Sequence, residues 1–474
     1  MKNLIGGAMA VLFLQGCATM APPDYSQLEA DLDPLLQSPA RGQIHQTLEL
    51  SEQERFEQVD DLLFEPLTPG TAQHLALVNS PHIRAHLHRL GIVEAEQLQA
   101  QMLSNPTLAV SAMRPDGGGR WELGLGLSQS LLDLMTRSLR KNLAEEALTS
   151  ARLDLLDTLN QELYQVQQDY FHAVGASHRE AVARLALNAA ETALLLAERL
   201  HEAGNLKELS LLHYRDQQLQ SQRALRRAQA DAQQAQTTLA LRLGLEHPAM
   251  MELPVTLPQL PNDEQIDVAA LTDHALTQRL DLRIARQVQS VAEHRQAFYA
   301  RQGGITQWDI GIDVERESDG GYSAGPSMSI GLPLFDRNQA RRAGAGAQLL
   351  RADALVNARE LELRTQLPDL ANRLRLTRTN VEQLEQQVIP QWQRQVDLSL
   401  REYNFMLMGA FELLNARARE FDAWREHAET LEQYWIQRIH LSMISATPLD
   451  AALPDAVQLP SVEAGGQGHE HHNH

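Results

Sequence analysis

Two segments alternate apolar and polar residues with period two. From Trp308 to Val314 the apolar set Trp308, Ile310, Ile312 and Val314 is interleaved with Asp309, Gly311 and Asp313, with Glu315 following. Ser318-Asp319-Gly320-Gly321 supplies a turn, and then Tyr322, Ala324, Met328, Ile330 and Leu332 alternate with Ser323, Gly325, Ser327, Ser329 and Gly331. That period predicts a β-hairpin. The stretch from Thr107 to Gln129 repeats the design: Leu108, Val110 and Ala112, a turn at Pro115-Asp116-Gly117-Gly118-Gly119, then Trp121, Leu123, Leu125 and Leu127 alternating with Glu122, Gly124, Gly126 and Ser128. Strands of roughly ten residues with one wholly apolar face match tilted membrane-barrel strands. Four strands are too few to close a barrel, and open edges are not tolerated in lipid. Several copies of the chain are therefore expected to share one.

Everything around the hairpins reads as helix. An apolar spacing of three and four runs through Leu75, Val78, Ile83, Leu87, Leu90, Val93 and Leu98 and predicts a helix over 71–103 that stops at Asn105-Pro106. No proline lies between Pro115 and Pro248, and Leu155, Leu159, Leu163, Val166, Tyr170 and Val174 form one seam. They predict a helix over 131–202, on the order of 100 Å long. A turn at Gly204-Asn205 and a return helix over 206–243 follow, and the Pro-rich segment PVTLPQLPNDEQ then crosses to a second copy of the plan. Leu280-Asp281-Leu282-Arg283 answers Pro81-His82-Ile83-Arg84, and Phe411-Glu412-Leu413-Leu414 answers Leu209-Ser210-Leu211-Leu212. The second long helix, 339–403, carries Pro368 and Pro390, both expected to kink it. Its seam at Val381, Leu384, Val388, Trp392 and Val396 fits an antiparallel coiled coil with a return helix over 411–441.

Composition narrows the class. The formal net charge is −20, which argues against a nucleic-acid partner. Cys17 is the one cysteine, so there is no disulfide framework and no cysteine metal centre. Residues 1–16 have the basic start and apolar core of a secretory signal, and Leu14-Gln15-Gly16-Cys17 resembles the lipobox of bacterial lipoproteins, with Cys17 as the lipidated residue. The expected plan is a signal at 1–16, a lipid-anchored extended arm without sustained period at 17–70, a first repeat at 71–247, a linker at 248–265, a second repeat at 266–443, and a flexible tail at 444–474. No nucleophile elbow, phosphate loop, HExxH motif or paired acid and base is present, so neither an enzyme nor a cofactor is expected.

The duplicated plan, Asn105-Pro106-Thr107-Leu108 at the first hairpin, Gly331 to Asn338 (GLPLFDRN) after the second, and Glu198-Arg199 through Gly204 together resemble the TolC family of outer membrane efflux channels, in its lipidated branch. The resemblance covers about 70–443. It implies an α+β membrane protein: a homotrimer sharing a twelve-stranded β-barrel, four strands from each chain, above a tunnel of long antiparallel coiled-coil helices in the periplasm. It also implies a periplasmic adaptor and an inner membrane transporter as partners. Gly204 and the turn at Tyr403, Met406 and Gly409 correspond to the periplasmic tips, although Met406 stands where the family has glycine. Glu412 and Asn415 fall where the family places residues that narrow the closed tunnel.

Glu122, Asp309, Asp313 and Glu315 are expected to face the barrel lumen, because charge toward lipid is costly. Trp121, Trp308 and Tyr322 are candidate interfacial anchors. The tail GHEHHNH concentrates His469, His471, His472 and His474, a candidate for loose metal capture. The function implied is a passive outer membrane exit duct for metal cations such as copper or for small toxic compounds. The alternatives are a periplasmic coiled-coil adaptor and a metal-binding lipoprotein, both without a pore; neither accounts for two hairpins set between long helices.

Overall fold

The computed structural model describes residues 50–114, 116, 120–262, 266–301, 307–405, 407–447 and 453–460. One order of elements occurs twice. The first half has α2 (Pro69–Asn79), α3 (Pro81–Gln101), β1 (Thr107–Met113), β2 (Glu122–Ser130), α4 (Leu131–Glu202) and α5 (Glu208–Leu243). The second has α6 (Val268–Gln278), α7 (Leu280–Arg301), β3 (Trp308–Arg316), β4 (Tyr322–Ile330), α8 (Gln339–Gln383), a π-helical turn (Leu384–Val388), α9 (Ile389–Asn404) and α10 (Ala410–Ser445). Corresponding elements match in length: α2 and α6 have 11 residues each, α5 and α10 have 36 each. No helix among the described residues is long and apolar enough to cross a membrane.

Three local expectations change. The arm is not without period: α1 (Glu52–Leu63) lies within it, started by a capping box in which Ser51 and Glu54 bond each other's backbone N–H. The single helix expected over 71–103 is two, because Pro81 disfavours helical backbone at Ser80, whose ψ is 120°. The two prolines of the second long helix behave differently. Pro368 sits inside an uninterrupted α8, whereas Pro390, at the start of α9, directly follows the π-helical turn. A proline lacks an N–H and its ring crowds the carbonyl four residues back; the wider turn before Pro390 relieves that crowding.

The chain forms two compact units. The first is built on His86–Leu155 and Arg283–Asn357 and contains the sheet. Its four strands run in the order β1-β2-β3-β4, each pair antiparallel. Register sorts the faces. Leu108, Val110, Leu123, Leu125, Leu127, Ile310, Ile312, Val314, Tyr322 and Met328 share one face and are exposed in the single chain. Trp121 and Leu332 lie just outside the strands.

The second unit comprises Leu156–Leu282 with the described parts of 28–85 and 358–474. Its core holds the seam of α4: Leu159, Leu163, Val166, Tyr170 and Val174 are all buried. An aromatic group closes it, with Phe171 stacked on Trp435 at 5.1 Å and Tyr434 and Tyr170 set edge-on beside them. Polar tips of these rings secure the connecting segments: the Tyr170 hydroxyl donates to Leu67 O at 2.8 Å and Trp435 Nε1 to Pro258 O at 3.0 Å. The crossover in turn pairs with the C-terminal segment through Gln259 N to Asp455 O and Val457 N to Leu257 O, both 2.9 Å.

Candidate functional site

In the sheet, register sets Glu122, Asp309, Asp313 and Glu315 on one face. Gly124 lies opposite Glu315, Gly126 opposite Asp313 and Ser130 opposite Asp309, and on the other side Ser323, Gly325 and Ser329 pair with the same three acids. Small residues thus flank Asp309, Asp313 and Glu315, Met113 lies opposite Glu122, and the other large apolar side chains of the strands point the other way. Among the described residues, the outer edges of β1 and β4 have no strand partner. Such a sheet has one face suited to lipid, one suited to water, and two edges to be paired.

At the first helical turn Gly204 adopts φ +73°, and a bond from Asn205 N to Leu200 O at 2.8 Å closes the end of α4. The His201 ring lies 2.8 Å from Leu206 O and ties the end of α4 to the turn. In the second turn Phe405 N donates to Arg401 O at 3.1 Å and Leu407 N to Glu402 O at 2.9 Å. Gly409 is the N-cap of α10 with φ −78°, an ordinary conformation for any residue. What a side chain at Gly409 would meet is Glu412, whose Oε2 would stand 2.7 Å from a Cβ there. Glu412 therefore folds back over the first turn of α10, where the free N–H groups favour a negative charge.

Within the second unit the two turns meet. Ala197, Leu211 and Tyr214 form a buried cluster on α4 and α5, and Leu206 from the first turn and Leu414 from α10 both pack against it. Tyr214 is 3% exposed, and its hydroxyl pKa is pushed up to about 12 by burial and by the neighbouring Tyr403 and Glu412. Asn415 lines a groove beside Phe411, Leu414 and Ala418, with Val182 and Ala186 of α4 and His213 and Asp216 of α5 on the opposite walls. So Gly204, Tyr403, Gly409, Glu412 and Asn415 belong to one end of the helical unit. Phe405 and Leu407, 77% and 78% exposed, project apolar surface beside them. Cys17, Met406, His469, His471, His472 and His474 lie outside the described residues.

A second polar constellation is absent from the sequence reading. Glu432, 6% exposed on α10, takes the Arg179 guanidinium and the His172 ring, the latter at 2.7 Å. Close by on the same helices, His178 and His427 are buried with ring centroids 6.5 Å apart. The signal was there: the α4 seam, continued four residues past Val174, lands on His178 and four later on Val182.

The model of the outer membrane efflux protein family matches residues 72–245. A cobalt-zinc-cadmium resistance protein, CzcC of Cupriavidus metallidurans, is 23% identical over 331 residues, spanning 69% of this chain and 77% of that protein. Among solved structures, the outer membrane protein VceC from Vibrio cholerae matches with a TM-score of 0.65 at 15% identity, over 82% of this chain and 96% of that one. CusC matches with a TM-score of 0.63 at 16% identity, over 81% and 94% of the two chains. The outer-membrane channel OprN gives 0.64 at 18% identity, over 84% and 93%. At these identities the structures establish the shared fold.

Proposed function

We propose that the chain is the exit duct of a three-part efflux system: a lipoprotein, anchored through Cys17, whose copies close one outer membrane barrel and whose helices receive cargo in the periplasm. The sheet carries this reading. A face that is apolar except for Gln129 and Arg316 near its margins, together with two unpaired edges, forms a surface that water does not stabilise and that an isolated sheet cannot keep open in lipid. Joining three copies edge to edge pairs every strand, which is the trimer implied by the TolC resemblance. The acidic face, with Glu122, Asp309, Asp313 and Glu315, then lines the lumen and favours cations.

The turns at Gly204 and at Tyr403 to Gly409 are the surface for a periplasmic adaptor, with Phe405 and Leu407 as its apolar contacts. Energy for export comes from an inner membrane transporter joined through that adaptor. The duct is a passive path and carries out no catalysis of its own. Metal cations are the favoured cargo, with small toxic compounds as the second class. Supporting this order are the acidic lumen, the histidines of the tail as a loose periplasmic trap, and the metal-resistance role in the name of the CzcC relative.

The test is fractionation of cells producing the full chain, followed by electrophoresis with and without heating. A heat-modifiable trimer in the outer membrane fraction is expected, together with metal sensitivity when the gene is deleted. Recovery as a soluble periplasmic monomer would remove the duct and leave an adaptor or a binding lipoprotein.

A further inference from the structure

We infer that His178 and His427 form a buried two-coordinate site for a monovalent soft cation, of the class of Ag(I) and Cu(I), in the helical unit. His178 on α4 is 0% exposed, and neither of its ring nitrogens has a hydrogen-bond partner among the described residues. His427 on α10 is 1% exposed; its Nε2 lies 2.8 Å from Glu385 Oε1, and its Nδ1 has no partner. Three buried nitrogens without partners in one place are an exception to the rule that buried polar atoms are satisfied.

Glu385 fixes the chemistry of the pair. A carboxylate accepts, so His427 Nε2 carries the proton and donates, leaving the Nδ1 lone pair free. Metal-binding imidazoles are oriented in this way. Glu385 lies in the π-helical turn, a feature enriched at functional sites.

Distance selects the coordination. A ring nitrogen lies about 1.1 Å from its centroid and N–metal bonds run about 2.0–2.1 Å, so a straight N–metal–N bridge separates centroids by about 6.3 Å and a tetrahedral one by about 5.1 Å. The observed separation is 6.5 Å, which fits the straight bridge. No group of three or more His, Cys, Asp or Glu side chains is arranged for a metal among the described residues, so the site lacks the ligands of a tetrahedral divalent centre. Charge agrees: Glu385 balances one positive charge, and the nearby Arg179 already has Glu432 as its partner. Linear coordination by two neutral nitrogens at single charge is the preference of filled-shell monovalent ions. A cation there links α4 to α10, independently of whether the chain conducts.

The probe is Ag(I), added as the nitrate in chloride-free buffer to the detergent-solubilised full chain carrying Cys17→Ala and His469→Asn, His471→Asn, His472→Asn and His474→Asn, which removes the competing thiol and tail imidazoles. Calorimetry should find one tight site per chain, silver X-ray absorption should find two nitrogen neighbours, and the thermal midpoint should rise. His178→Phe and His427→Phe should each weaken that site at least a hundredfold while keeping helical content and oligomer size. Glu385→Gln should weaken it about tenfold by loosening the His427 ring. Equal binding by the parent and His178→Phe, no binding by the parent, or an absorption spectrum dominated by sulfur would overturn the assignment. If His178→Phe does not fold, the coordination spectrum of the parent together with His178→Gln decides.

Discussion

Two glycines with nearly the same backbone carry different loads. Gly204 has φ +73° with open space around a would-be Cβ; Gly244 has φ +74°, and a Cβ there would stand 2.6 Å from Asn79 O and 3.0 Å from Pro81 Cδ. Asn79 Nδ2 also donates to Leu243 O and Gly244 O, at 3.0 and 2.8 Å. Gly204→Ala therefore costs only the left-handed conformation, about 1–2 kcal/mol, while Gly244→Ala adds loss of the α2–α5 contact and should be at least twice as destabilising in thermal unfolding. Two histidines on α4 similarly differ in sign. Burial, helped by the charges of His427 and Arg179, pushes the His178 pKa down to about 3. The unfolded chain then binds a proton the native one does not, so stability falls as pH drops from about 6.5 toward that value, by up to about 1.4 kcal/mol per unit. The hydrogen bond to Glu432 raises the His172 pKa against the opposing effect of burial. Its stabilisation is complete below about pH 6.5 and lost as pH rises through the raised native value. His178→Phe should flatten the acid limb of a melting-temperature profile measured without added metal, and His172→Asn should lower stability near pH 6 and leave it unchanged near pH 9.

At the scale of elements, patterning determined most of what was legible. Period-two alternation survives in the sheet without slippage because a one-residue shift would put Asp309, Asp313 and Glu315 among Ile310, Ile312 and Val314. The seam of α4 was equally clear, since a helix of 72 residues repeats its signal many times over. What escaped depends on contacts far apart in sequence or on local backbone chemistry. The α2–α3 break rests on Ser80 preceding Pro81, and α1 on a capping box inside a stretch that otherwise looks like a Pro-rich arm. The π-helical turn is a register change that no apolar period reports. The His178–His427 pair joins residues 249 apart in number, a proximity that no local period reports. The sheet's sidedness gives a direct test. Ile312, 62% exposed on the apolar face, becomes costly as Ile312→Arg by roughly 2–4 kcal/mol near mid-bilayer. Asp313→Asn, one residue along on the opposite face, should be tolerated. Outer membrane trimer yield should fall sharply for the first and stay near the parent level for the second.

For the whole molecule, the two turns act as one end because Tyr214 joins them. It packs with Leu206 of the first turn and Leu414 beyond the second, and it feels Tyr403 and Glu412. Moving either turn disturbs the same buried cluster, so opening at this end is expected to involve both together. Glu412 stands in the first turn of α10, and in the proposed trimer it would repeat as a ring of three carboxylates. Such a ring attracts cations and holds divalent ones, so the closed duct should pass a small cation-selective current that divalent ions block. Asn415, three residues further along on the same helix, presents an amide at the groove and supplies no charge to hold them. Single-channel recording in planar bilayers separates the two roles. Glu412→Ala should raise conductance, reduce cation selectivity and abolish divalent block. Asn415→Ala should leave the block intact. An unchanged block in Glu412→Ala would move the constriction to the acidic face of the barrel, where Asp309→Asn, Asp313→Asn and Glu315→Gln would then be the variants that relieve it.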